Sequence, residues 1–168
     1  SRMDALHESM MKPCCCSGEW LRCVQHSLFV NGIREMDIAH DIFTCFEKGR
    51  CETAPVVILS GLHGGEGKSL LPSPIVAVLG IEYVLQGVAG GQFPLVDLPS
   101  KKAVLINECS FTHGPLNIST QLLWFEGKTV PVARPQNDRD GGPGHCLYSG
   151  SAPIFITSPL QHVQPLSR

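Results

Sequence analysis

Apolar positions along the chain fall into two kinds of pattern. Between Met36 and Phe46, residues Ile38, Ala39, Ile42, Phe43 and Phe46 recur at helical spacing, and Gly49 stands where a helix would close, so an amphipathic helix is predicted there. Ala54 to Leu59, Ala103 to Ile106 and Ala152 to Thr157 are instead short continuous apolar runs, the pattern of strands buried on both faces of a sheet. Leu116 to Phe125 reads as a further helix, closed by Gly127. Lys128 to Arg134 then alternates, with Val130 and Val132 on one face, as in half of a hairpin. Ile75 to Gln86 is apolar up to Gly87, while Gly90, Gly91 and Pro94 mark one loop and Asn137 to Gly144 another. Residues 1 to 30 are Cys-rich and show no sustained periodicity. The expectation is therefore a loosely ordered lead-in over residues 1–35 and a folded domain over 36–168 whose C-terminal end reads as cut short.

Composition narrows the class. A chain of 168 residues with 43% hydrophobic content can bury one core. With 13 basic and 15 acidic residues the formal charge is −2, which excludes a global field attracting nucleic acid or anionic lipid, so any polyanion contact must be local. No apolar stretch reaches the 18 or so residues of a membrane span, and Ser1 to Lys12 lacks the apolar core of a signal peptide. A soluble, intracellular chain is expected, in the nucleus or the cytoplasm. The eight cysteines are accordingly read as free thiols: Cys51, Cys109 and Cys146 lie at or near apolar segments, where a thiol packs as a small hydrophobe. Cys14, Cys15, Cys16 and Cys23 with His26 lack the paired Cys-x-x-Cys spacing of a zinc site.

The candidate chemistry begins at Gly61 to Ser69, Gly-Leu-His-Gly-Gly-Glu-Gly-Lys-Ser, directly after the first apolar run. A glycine-rich turn between a buried strand and Gly-Lys-Ser has the form of a phosphate-binding P-loop, because several backbone N–H groups must point into one anion-sized hollow. Gly64, Gly65, Glu66 and Gly67 would form the cradle. Lys68 would reach the β/γ-phosphates of ATP, and the Ser69 hydroxyl would hold Mg²⁺. Leu62 stands where the strict spacing has glycine, which makes the loop one residue longer. Pro72 and Pro74 fall in the first two turns of a helix starting near Lys68, so that helix is expected to be short or kinked. The second run, Ala103 to Ile106, ends in Asn107-Glu108 and has the shape of a Walker B strand: Glu108 would orient the attacking water, and Asn107 would hold a metal-bound water without bringing a charge.

With these strands placed, the order of segments from about Phe43 to Leu160 resembles the superfamily 3 helicases, ATPases of small DNA viruses and mobile elements. Gly64 to Ser69 resembles the family's Walker A, and Phe93-Pro94-Leu95 before Lys101-Lys102 the approach to its Walker B. Trp124 to Arg134 is similar to its B′ region, which in that family forms a DNA-facing hairpin, and Ala152 to Ser158 looks like motif C. The resemblance implies a P-loop NTPase fold, a three-layer α/β sandwich with a mainly parallel central sheet. It also implies ATP hydrolysis with Mg²⁺, translocation on single-stranded DNA during replication, and a homo-oligomeric ring. Lys128 and Arg134 would then touch the DNA backbone, and Thr157 or Ser158 would sense the γ-phosphate, since Pro159 stands where the family has Asn. The alternatives are a degenerate, non-hydrolysing nucleotide-binding or assembly module, a P-loop phosphotransferase using Arg134 or Arg139, and a Cys-rich zinc module.

Overall fold

The computed structural model describes residues 1–54, 56–62, 65–87, 95–109, 118–133 and 144–159. Its centre is a parallel sheet of strands β1 (Val57–Gly61), β2 (Val84–Gln86), β3 (Ala103–Ile106) and β6 (Ile154–Pro159), in the order β1-β6-β3-β2. The three continuous apolar runs became β1, β3 and β6 for the reason they suggested. Side chains alternate across a strand, and both faces of β3 and β6 are covered, whereas β1 at the sheet edge buries Val57 and leaves Ile58 and Ser60 exposed. Val57, Ala103, Leu105 and Phe155 point to one side and pack with Cys45, Phe46, Ile75 and Leu79 from helices α3 (Glu35–Lys48) and α4 (Ser73–Leu79). Val104, Ile106, Ile154 and Ile156 point to the other, against Trp124 of helix α5 (Ile118–Phe125) and against Val130, Val132 and Tyr148. Each Val, Leu, Ile or Phe side chain among them that is withdrawn from water contributes about 1.5–3 kcal/mol. The fold is therefore α/β, a parallel sheet between a helical layer and a mixed layer.

The mixed layer contains the hairpin foreseen from alternation. β4 (Val130–Ala133) pairs antiparallel with β5 (His145–Tyr148), with Val130 and Val132 turned inward. The β5 strand carried no clear signal, because only Tyr148 of its four residues is buried. β2 has three residues, too few to show a period.

The N-terminal segment corrects the expectation of a loosely ordered lead-in. It forms α1 (Arg2–Met10) and α2 (Glu19–Val30), and Trp20, Val24 and Leu28 of α2 do recur at i, i+4 and i+8. Val24 and Leu28 are buried, and Met3, Ala5 and Leu6 of α1 pack on the α3/α4 side of the core. Arg2 clamps this helix to the C-terminal end of α3, donating to the carbonyls of Phe46 (3.0 Å) and Glu47 (3.3 Å) and to Ser151 O (3.1 Å). Cations are favoured at a helix C-terminus. At Gly49, with φ 69°, a side chain would run into the Ser151 carbonyl, so only glycine closes α3 here. Gly49→Ala is expected to lower unfolding free energy by about 2 kcal/mol in urea denaturation, since left-handed strain and a backbone clash coincide. Among the described residues no helix is long and apolar enough to cross a membrane.

Candidate functional site

In a parallel sheet all strands end at one edge, and ligands of open α/β sheets bind outside the carboxyl ends of the strands. The order β1-β6-β3 sets three such ends side by side. Ser60 pairs with Ser158, Gly61 with Pro159, and Ile106 with Ile156. Beyond them lies a cleft of about 490 Å³, lined among the described residues by Gly61, Gly65, Glu66, Gly67, Lys68, Ser69, Glu108, Thr157 and Ser158, with Leu62, Leu70 and Pro159. Residues read independently as a glycine-rich anion cradle, a strand-end acid and strand-end hydroxyls thus share one cavity. Gly64 lies outside the described residues, as does Arg134.

Locally the glycine-rich segment departs from expectation. Residues Gly65 to Pro72 form turns, and α4 begins only at Ser73, with Pro74 in its first turn. The two prolines account for this, because a ring at position 72 or 74 is tolerated at a helix start but clashes in its interior. Lys68 and Ser69 therefore sit in a turn rather than on the first turn of a helix. The loop is braced instead by α2: the Ser27 hydroxyl donates to Glu66 O at 3.0 Å. Gly67 has φ 82°, and a Cβ there would stand 2.7 Å from Ser27 Oγ. Sequence reasoning missed Ser27, although the helical spacing of α2 would have found the element that carries it.

Lys68 Nζ donates to Glu66 Oε2 at 2.9 Å, with side-chain exposures of 19% for Lys68 and 25% for Glu66. The Glu66 carboxylate lies over Gly61, in the space that any β-carbon at that position would fill. A carboxylate thus already pairs with the lysine that the sequence pattern suggested for phosphate. Counted over the described lining residues, the cleft holds Lys68 against Glu66 and Glu108.

The far wall is laced together by hydroxyls. Glu108 adopts φ 53°, a left-handed conformation rare outside glycine, and its N–H donates to Thr157 Oγ1 at 3.1 Å. Thr157 Oγ1 donates to Asn107 Oδ1 (3.4 Å), Cys109 N–H donates to Thr157 O (2.8 Å), and the Ser158 hydroxyl donates to Cys109 O (2.8 Å). Thr157 and Ser158 are both buried, so their polar groups first fix the exit of β3 against β6 and present Glu108 to the cleft. Asn107 is turned to Thr157 and is not among the lining residues. Lys128 lies outside the cleft and pairs with Glu52, whose hydrogen bond and charge raise the lysine above its ordinary range and lower the carboxyl.

Among the described residues no group of three or more His, Cys, Asp or Glu could hold a metal ion. Mg²⁺ needs less protein than that when phosphates bring most of its ligands, one or two protein oxygens plus waters completing the octahedron. Ser69 and Glu108 both line the cleft and are residue types that can supply such oxygens, whereas Asn107, the other residue expected to serve the metal, does not line it. Compared with known proteins, the chain matches no family model and no curated protein.

Proposed function

We propose that the cleft at the carboxyl edge of the sheet binds ATP as its Mg²⁺ complex, in a P-loop NTPase-like arrangement. The observation that carries this reading is the insertion of β6 between β1 and β3, which brings Gly61, the Gly65–Ser69 turn, Glu108 and Thr157 around one cavity. Lys68 would exchange Glu66 for the β/γ-phosphates, and Ser69 would turn its hydroxyl to the metal that accompanies them. Mg²⁺ would supply positive charge to a cleft whose described lining holds two carboxylates and one lysine. Glu108, held by Thr157, would orient a water against the terminal phosphate.

Binding with slow or absent turnover is favoured over rapid hydrolysis by two observations: Lys68 begins paired to Glu66, and the uncharged Asn107 faces Thr157. The helicase reading, with single-stranded DNA and a ring of subunits, rests on the resemblance. In it Lys128 would have to leave Glu52 to reach a DNA phosphate.

The test is calorimetric titration of the folded protein with ATP, with and without Mg²⁺, beside Glu66→Gln. Removing the competing carboxylate should tighten binding about three- to tenfold, since a like charge within a few ångströms of the phosphates is lost. No detectable Mg²⁺-dependent binding by either protein would end the nucleotide reading.

A further inference from the structure

The turn between α1 and α2 carries Cys14, Cys15 and Cys16, and all eight cysteines of the chain are free. The sulfurs of Cys14 and Cys16 lie 3.2 Å apart, so closing them to a bond of about 2.05 Å needs a movement of only about 1 Å. Cys14 is exposed and Cys16 half-buried, which leaves the pair open to a small reagent.

The backbone explains why the two sulfurs meet. Ser17 (φ 50°) and Gly18 (φ 80°) are consecutive left-handed residues that fold the chain back at the start of α2, where Glu19 N–H donates to Cys16 O at 2.9 Å. Gly18 is the N-cap and has no side chain with which to satisfy the first amides of the helix. The Cys16 sulfur lies against this open helix start: the Trp20 backbone, then the Cys14 thiol, pulls the Cys16 thiol below its ordinary range. The positive end of the helix dipole acts in the same direction. Cys45 and Cys109 are the contrast, since burial pushes both thiols up. Cys51 is also lowered, chiefly by Thr53, but its sulfur contact is a hydroxyl rather than a second thiol.

We propose that Cys14 and Cys16 form a thiol–disulfide exchange site, oxidised reversibly by low-molecular-weight disulfides, with Cys16 as the attacking and Cys14 as the resolving sulfur. In the first step Cys16 thiolate attacks one sulfur of the reagent RSSR. A bond forms between Cys16 and that sulfur, the reagent's S–S bond breaks, and RS⁻ leaves and takes a proton from water. In the second, Cys14 gives its proton to solvent and attacks Cys16 Sγ, expelling the other RS⁻. The sum is dithiol plus RSSR giving the Cys14–Cys16 disulfide plus two RSH, with two electrons passing from protein to reagent. A dithiol reductant runs it backward.

The test uses the whole chain with glutathione disulfide, acid quenching, intact mass and peptide mapping, with far-UV circular dichroism to show that the variants fold. Wild type should lose two hydrogens without retaining glutathione, with the new bond mapped to Cys14–Cys16 and removed by dithiothreitol. Cys14→Ser, or Cys14→Ala as a second form, should stop at a mixed disulfide on Cys16. Cys16→Ser should react in this segment at least about tenfold more slowly. A wild-type bond between any other pair, no reaction, or glutathione on Cys15, Cys23 or Cys51 as fast as on Cys16 in Cys14→Ser would each overturn the proposal.

Discussion

Lys68→Ala is expected to weaken Mg²⁺-dependent ATP binding by roughly ten- to hundredfold, the range for losing one charge-assisted hydrogen bond to phosphate. Lys68 is the one cation among the described residues lining the cleft, so no neighbour there substitutes for it. Part of the loss has a second origin. Removing the lysine also takes from Glu66 the ammonium 2.9 Å away, so its carboxylate would repel the incoming phosphates more strongly. The double variant Lys68→Ala with Glu66→Gln separates the two, and should recover part of the affinity while remaining weaker than Glu66→Gln alone. Calorimetry on all four proteins, with thermal unfolding as the check on integrity, gives the cycle. Equal ATP affinity in wild type and folded Lys68→Ala would show that the turn is not a phosphate site.

What the sequence made legible follows the strength of local physics. β3 and β6 were visible because a strand covered on both faces must be apolar throughout, β1 through its apolar start at Val57 to Leu59 although Ile58 is exposed at the sheet edge, and α3 because its inward face repeats over four turns. The cleft residues were legible as types, since glycines, Lys68, Ser69 and a strand-end acid serve anion chemistry wherever they stand. Their mutual arrangement was not. That Glu66 pairs with Lys68 depends on a turn bending a spacing of two residues into contact, and that Ser158 is spent on Cys109 O depends on β6 lying beside β3. α1 was hidden because it buries no residue fully, and α2 because its apolar face is narrow and Phe29 and Val30 are exposed beside it.

Arg50 passed unnoticed as one more charge, yet it is 5% exposed, and replacing it is expected to cost about 3–5 kcal/mol of stability. Among the described residues its guanidinium meets no carboxylate. Nη1 donates to Trp124 O (2.8 Å) and Lys128 O (2.7 Å), Nε and Nη2 donate to Gly150 O (3.0 and 2.8 Å), and the group lies 5.0 Å from the centre of the Tyr148 ring. One side chain following α3 thus ties the end of α5, the approach to β4 and the exit of β5. Burial pulls the guanidinium below its ordinary range, but arginine remains charged, so carbonyl dipoles must stand in for water around it. Arg50→Met keeps the aliphatic stem and removes the fork, leaving three carbonyls without this donor. Arg50→Lys should restore less than half of the loss, because a point ammonium cannot reach three carbonyls set for a planar fork. In urea denaturation the Met variant should lose about a fifth or more of a typical domain stability of about 5–15 kcal/mol, with a melting point lower by roughly 10 °C. A loss below about 1 kcal/mol, or full recovery by lysine, would mean that the apolar contacts of α5 and the hairpin hold the mixed layer without this clamp.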